Sequence, residues 1–416
     1  MGLQIRKDCE GRFDHYLTEA IRLKQEGLEN EKIFEFDKTC YVLTDLLQDG
    51  LSNSIVLKDM VKNAVQKATT VDRASFFMAL NSLFAVTGNY ESFYLVATAN
   101  VKLATLTQRI FRIEDADLRV VNYQTADAAF QVSTLFREWQ IITPAQQRPF
   151  LDYSYLVIEI LANNAEEAFE KAYGSMEIFR GLLNFAYYQG RLSYTFYGGI
   201  PSPKTSSVLQ PSRVIMLFDR NKGHLFDRFS IGVFDYSMNE FGTYFREIND
   251  SLVELIEETN SIRPCPLKER CLSCFRKYND GLDGNVSGTA FLEFWKIFEL
   301  VAMADKSDRG MAEDKVAKRI ASLFSQELSR DIMKALCDKR NYIAHVGSLS
   351  MFDQDEINLV RQYCETAMMF LLHATQDFDD EESLEYFYEN INANDKDLER
   401  LVAVILKIKA FRTRSF

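Results

Sequence analysis

The chain has 416 residues, 47% of them hydrophobic, enough to bury substantial cores and to suggest two domains or three. Its net charge of −12 excludes loose, non-specific nucleic-acid binding, which runs on a general excess of Lys and Arg, so any RNA contact is expected to be local and short. No apolar run approaches the roughly 18 residues of a membrane span, and the polar start, Met1 to Arg12, lacks a signal-peptide core, so a cytoplasmic protein without a membrane partner is expected.

Up to about residue 140 the pattern reads mainly helical, as in Asp72 to Val86, where Phe76, Phe77, Leu80, Leu83 and Phe84 recur at helical spacing. Tyr153 to Leu161 is rich in β-branched and aromatic residues and predicts a strand, after which Asn164 is placed to cap a helix over Ala165 to Tyr188. Leu192 to Tyr197, Arg213 to Asp219 and Phe229 to Phe234 read as extended, with Asn221, Lys222 and Gly223 as a turn between the last two. A helical run from Phe241 to Glu258 then breaks at Arg263, Pro264, Cys265 and Pro266, where we place the main domain boundary.

Beyond the break everything reads helical. Phe291, Phe294, Trp295, Phe298 and Ala302 line one face of a first long helix, and Val316, Ile320 and Phe324 line a second. Ile332, Met333 and Leu336 belong to a third; Asp353 and Glu356 resemble a capping box opening a fourth, which carries Ile357, Val360, Met368 and Leu371. The expected fold is therefore mainly α: a helical region over 1–140, an α+β region over 141–262 that could form one domain with it, and a helical bundle over 267–416.

Seven cysteines spread over a long chain point to reduced thiols. Cys265, Cys271 and Cys274 form C-x5-C-x2-C, three of the four ligands that a structural zinc requires. The fourth would have to be His224 or a distant cysteine; otherwise the three are plain thiols, and no cofactor is expected. No glycine-rich phosphate loop, G-x-S-x-G elbow or H-E-x-x-H sequence is present, which leaves nucleotide hydrolysis and zinc proteolysis without support. Asp377, Asp379, Asp380, Glu381, Glu382, Glu385 and Glu389 crowd one stretch that reads as a solvated face, and the basic tail of Lys407, Lys409, Arg412 and Arg414 reads as its counterweight, with a nucleic-acid contact as the alternative.

Arg340, Asn341, Tyr342, Ile343, Ala344 and His345 set a fixed cation a short step from an imidazole able to move a proton near neutral pH. On an unbroken helix, residues five apart point about 140° away from each other. Joint chemistry therefore needs either a helix break, for which Asn341 as an N-cap and Gly347 as a stop are suited, or a second copy across a two-fold axis.

The stretch resembles the R-x(4 to 6)-H motif of the HEPN ribonucleases, in which Asn often follows the Arg and an acidic residue stands on an earlier helix; here Glu299 occupies that place. The resemblance covers roughly residues 285 to 375, and the layout is similar to ApeA-type proteins of bacterial antiphage defence. It implies a metal-independent endoribonuclease that leaves 2′,3′-cyclic phosphate ends and acts as a toxic effector in abortive infection. His345 would be the general acid or base, Arg340 would stabilise charge on the phosphorus oxygens, Asn341 would orient the site or cap the helix, and Glu299 would hold Arg340 or His345. It further implies RNA as substrate, a homodimer through the C-terminal bundle and an unknown trigger sensed by the N-terminal region. The alternative is a non-catalytic HEPN dimer serving as scaffold or partner-binding subunit.

Overall fold

In the computed structural model of the chain, the residues described are 4–6, 9–26, 31–48, 61–62, 64–65, 68, 70, 72–84, 90–100, 106, 109–138, 154–189, 206–229, 245–284, 286–302, 313–324, 327–346, 354–378 and 380–412. They belong to two compact units, one of residues 1–93 with 161–171 and the other of 94–160 with 172–416.

In the first unit, Phe13, Leu17, Ala20 and Ile21 fall at three- and four-residue intervals and are buried, which drives Glu10–Glu26 into helix α1. A two-residue strand β1 (Gln4–Ile5) pairs antiparallel with β2 (Leu47–Gln48) across helix α2 (Glu31–Asp45). Helix α3 (Arg73–Phe84) bears out the helical spacing of its sequence: Phe76 and Leu80 are buried, and the Ser75 amide donates to Asp72 Oδ1 at 2.7 Å as an N-cap. Arg73 ties α3 to α1 through Asp14 at 2.5 Å and Glu10 at 2.9 Å.

The second unit is built on a six-stranded sheet whose order is β4 (Ile110–Ile113), β5 (Ala116–Asn122), β6 (Ser154–Ala162), β3 (Glu91–Ala99), β7 (Val214–Phe218), β8 (His224–Phe229). The pairings β4–β5, β5–β6, β3–β7 and β7–β8 are antiparallel. Three of these strands fall before residue 140, where the sequence pattern suggested helices. For β3 the reason is burial: Leu95, Val96, Ala97, Thr98 and Ala99 are all buried, so this inner strand shows no alternation and cannot be told from a buried helix by period alone, whereas β4 and β5 alternate but are only four and seven residues long. Helices α4 (Tyr123–Phe130) and α5 (Val132–Glu138) follow β5.

Strand β6 and helix α6 (Ala165–Tyr188) stand where the sequence placed them, and Asn164 caps α6 by accepting from the Glu167 amide at 2.8 Å. The turn at Asn221 to Gly223 is also present. Asp219 Oδ1 accepts from the amides of Asn221 and Gly223 at 2.8 Å each, and Lys222 takes a left-handed φ of 65°. This reversal is so tight that the partner strand begins at His224 rather than at Phe229; residues 230–234 and the expected strand at 192–197 lie outside the described residues.

Helix α7 (Phe245–Ser261) ends at the expected break, and helix α8 (Pro266–Asp283) starts with Pro266 in its first turn and Cys265 at the N-cap. The break is a helix boundary inside the second unit, since α6 packs directly on α8. A Cβ on Gly181 would stand 2.4 Å from the carbonyl oxygen of Phe275, and the Phe185 ring meets Phe275 and Tyr278 edge-on at 5.5 and 5.7 Å. Glycine at 181 is what allows this approach.

Four further helices complete the bundle: α9 (Ser287–Ala302), α10 (Glu313–Ala321), α11 (Glu327–Val346) and α12 (Gln354–Asp377), with α9 at its centre packing on α8, α10, α11 and α12. Phe291, Phe294, Trp295, Phe298 and Ala302 are all buried, as are Val316, Ile320, Met333, Leu336, Ile357, Val360, Met368 and Leu371. Each fully buried large side chain is worth about 1.5–3 kcal/mol relative to exposure, so this periodic apolar set accounts for the bundle. Helices α13 (Glu381–Asn390) and α14 (Asp395–Arg412) follow. The acidic stretch is more than a solvated face: Glu381 pairs with Arg270 of α8, and Glu385 pairs with Arg319 of α10 at 3.0 Å. The described residues are thus mainly helical, with a six-stranded sheet and a two-stranded pairing, and among them no helix is long and apolar enough to cross a membrane.

Candidate functional site

Arg340 is carried by α11 on the side that faces α9 and α10. Its Nη2 lies 3.6 Å from Glu299 Oε1 of α9, and its Nη1 lies 2.5 Å from Glu313 Oε1 in the first turn of α10. The resemblance alone pointed to Glu299, and the helices bring it to Arg340. Glu313 was not foreseen, because its approach depends on how α10 packs against α11 and no sequence motif encodes that. Burial raises the Glu299 carboxyl above its ordinary value, the Arg340 cation pulls it down, and the Glu313 carboxylate pushes it up again.

Asn341 does not break the helix. α11 runs unbroken from Glu327 to Val346, and Asn341 lies within it, half-buried, with Oδ1 accepting from Arg340 Nη1 at 3.5 Å and Nδ2 3.9 Å from Cys337 Sγ. An Asn inside a helix costs well under 1 kcal/mol relative to Ala, about 0.7 at most, while two residues on Ile343 is buried at 3% exposure and anchors the last turn to the bundle. Propagation of the helix wins. Lys339 adds an ion pair to Glu356 of α12. His345 is exposed on the same helix, five residues on, and the chain does not bring it to Arg340.

Cys271 and Cys274 are buried one turn apart on α8, and Cys265 stands at the helix start. Burial pushes the Cys271 thiol up to about 12 and raises Cys274 as well, the behaviour of core thiols. Among the described residues no three His, Cys, Asp or Glu side chains converge in a way that would hold a metal ion. His373 lies within α12 with Nε2 3.3 Å from Glu258 of α7.

A second polar cluster escaped the sequence reading. Arg361 and Glu365, one turn apart on α12 among Ile357, Val360, Cys364 and Met368, are drawn into the core. Glu365 Oε1 accepts from the Tyr278 hydroxyl at 2.5 Å, and the Arg361 guanidinium lies 4.4 Å from the centroid of the Tyr188 ring. The available signal was an i, i+4 Arg/Glu pair on an apolar stripe. Burial raises the Glu365 carboxyl above its ordinary value despite the adjoining Arg361.

Comparison with known protein families, with curated proteins and with solved structures returns no match.

Proposed function

We propose that the protein is a metal-independent endoribonuclease of HEPN type, working as a toxic effector in antiphage defence. The observation that carries this reading is the Glu299–Arg340 ion pair across α9 and α11, with His345 exposed on the same helix as the arginine. His345 acts as general acid or base at the ribose 2′-oxygen and the leaving oxygen; Arg340 stabilises the charge on the phosphorus oxygens. Glu299 positions the guanidinium. Since α11 is continuous, the reading requires a composite cleft in which Arg340 of one copy works with His345 of another.

A second reading, a non-catalytic dimer that serves as scaffold or partner-binding subunit, is favoured by one detail. Arg340 already faces two carboxylates, at 2.5 and 3.6 Å, and a phosphate must displace at least one of them.

The deciding experiment is cleavage of a mixed tRNA and mRNA pool in excess EDTA by the wild type, Arg340→Ala and His345→Ala, with product ends mapped. The expected result is 2′,3′-cyclic phosphate ends from the wild type and a loss of at least about a hundredfold in either variant, the range set by removing a general acid–base or a charge-stabilising group. Equal cleavage by all three proteins would refute the assignment of these residues, and cleavage only with magnesium would refute the metal-free mechanism.

A further inference from the structure

The last helix, α14, shows an unusual surface. Leu398, Leu401, Val402, Val404, Ile405 and Leu406 are each 37–60% exposed, although they make up the most apolar stretch of the helix. Isolated exposed leucines are ordinary, but six large aliphatic side chains within nine positions form a contiguous patch of the kind that marks an interaction surface.

The pattern specifies its partner. Leu398 and Ile405 are seven residues apart with Leu401 between them, the a, d, a spacing of a helix pair. Val402 and Val404 then take the flanking e and g positions, with Asp395 and Lys409 at the two remaining e positions. The charges that flank the seam are divided along the helix: Asp395 and Asp397 are at the start and Lys409 toward the end, while Lys396, Glu399, Arg400 and Lys407 take outer positions. In a parallel pair the acidic ends would lie side by side, and the g-to-e contacts would set Asp397 against Val402 and Val404 against Lys409. In an antiparallel pair Leu401 faces Ile405, Val402 meets Val402, Val404 meets Val404, and Asp395 of each copy meets Lys409 of the other. The helix complements itself in the antiparallel sense.

We propose that α14 is a self-association helix that pairs antiparallel with α14 of a second copy of this chain. The seam is about 27 Å long, the length of an 18-residue helix, and the two acidic ends lie over the two basic ends. This inference stands apart from the ribonuclease reading, because it requires only the exposed side chains of α14 and their charges.

The test uses the full-length chain in sedimentation equilibrium across the micromolar range. The wild type is expected to be dimeric, and Leu401→Glu/Ile405→Glu is expected to weaken association by about a hundredfold or more with an unchanged far-UV spectrum. Two charge-reversed proteins settle orientation. Asp395→Lys/Asp397→Lys/Glu399→Lys and Lys407→Glu/Lys409→Glu should each lose roughly tenfold in self-association, and an equimolar mixture of the two should recover dimers; in a parallel pair each reversal only exchanges one like-charge contact for another, so unchanged self-association of either variant would overturn the antiparallel sense. A monomeric wild type overturns the proposal, as does a dimer that survives Leu401→Glu/Ile405→Glu. So does a wild type that stays monomeric but floats with anionic phospholipid vesicles, which would assign the apolar face to a membrane surface. RNA cleavage is not a readout here: a monomeric wild type would also sink the two-copy cleft, whereas a dimer that survives Leu401→Glu/Ile405→Glu overturns this proposal alone.

Discussion

Arg180→Met probes the buried polar network that joins α6 to α8. The Arg180 side chain is 2% exposed; its Nη1 lies 2.5 Å from Glu177 Oε2, its Nη2 lies 2.7 Å from Asp283 Oδ2, and its Nε donates to the Leu209 carbonyl at 3.1 Å. Methionine keeps much of the apolar stem, so the main loss is electrostatic. Two charge-assisted hydrogen bonds at about 1.5–3 kcal/mol each agree with the roughly 3–5 kcal/mol measured when one partner of a buried ion pair is removed, and about 3–5 kcal/mol is the cost expected here. The cost should also depend on pH. Burial holds the Glu177 carboxyl above its ordinary value of 4.5, Arg180 pulls it down, and Asp283 pushes it up; without Arg180 it rises further. A carboxyl raised in the folded state keeps a proton that the unfolded chain has released. The stability linked to that proton is fully present below about 4.5 and is lost as pH climbs through the folded value. Arg180→Met should therefore cost less near pH 5 than near pH 8, by about 1 kcal/mol for each unit of further rise. Urea denaturation followed by far-UV circular dichroism at the two pH values measures this, and adding Asp283→Asn should return part of the loss. A cost below about 1 kcal/mol, or one identical at both pH values, would refute the reasoning.

Gly181→Ala should destabilise by about 1–3 kcal/mol net, because the new Cβ meets the Phe275 carbonyl oxygen at 2.4 Å and backbone cannot yield; Gly11→Ala, with nothing within 4 Å, should stabilise by about 0.5–1 kcal/mol, and urea midpoints compare the two. Alkylation with iodoacetamide under native conditions should label the half-exposed Cys9 and Cys265 and leave the buried Cys271, Cys274 and Cys364 unlabelled until denaturant is added, as peptide mass spectrometry would record; rapid native labelling of Cys271 would contradict its burial. Glu299→Gln should change stability little near pH 4 and become relatively more favourable as pH rises, since the raised Glu299 carboxyl is penalised in its charged form; its partial exposure holds the difference to about 1 kcal/mol or less, and denaturation at several pH values gives the trend.

The helices of the second unit were legible because each carries a wide apolar stripe at the 3.6-residue period, and the cap at Asn164 was legible because its oxygen meets its own helix three residues on. β3 was illegible for the opposite reason: a strand buried by neighbours on both sides loses the alternation that would reveal it. At the candidate site, Glu299 was indicated by the resemblance and by no pattern of the residues themselves. Glu313 and the Tyr278–Glu365–Arg361 cluster could not, because each depends on which side chains a neighbouring helix presents. Asn341 misled in another way. Its cap preference is real but smaller than what the helix retains by keeping Ile343 buried.

That continuity of α11 leads to a further prediction for the ribonuclease reading. Within one copy Arg340 and His345 are separated by about 7.5 Å along the helix and 140° around it. Bringing them onto one phosphate in the same chain would mean unwinding the last turn and exposing Ile343, about 1.5–3 kcal/mol before any lost hydrogen bond is counted. Joining Arg340 of one copy to His345 of another needs no unwinding. The two routes differ in subunit mixing. When Arg340→Ala and His345→Ala proteins are mixed after unfolding and refolding together, half of the dimers are hybrid, and each hybrid has one of its two composite sites intact, so roughly a quarter of wild-type cleavage should return. If the site were built within one chain, every hybrid would carry two broken sites and nothing would return. Rates of RNA cleavage by the mixture, set against each variant alone, therefore read the architecture of the site directly, and absence of complementation in a mixture shown to contain hybrids would refute the two-copy cleft.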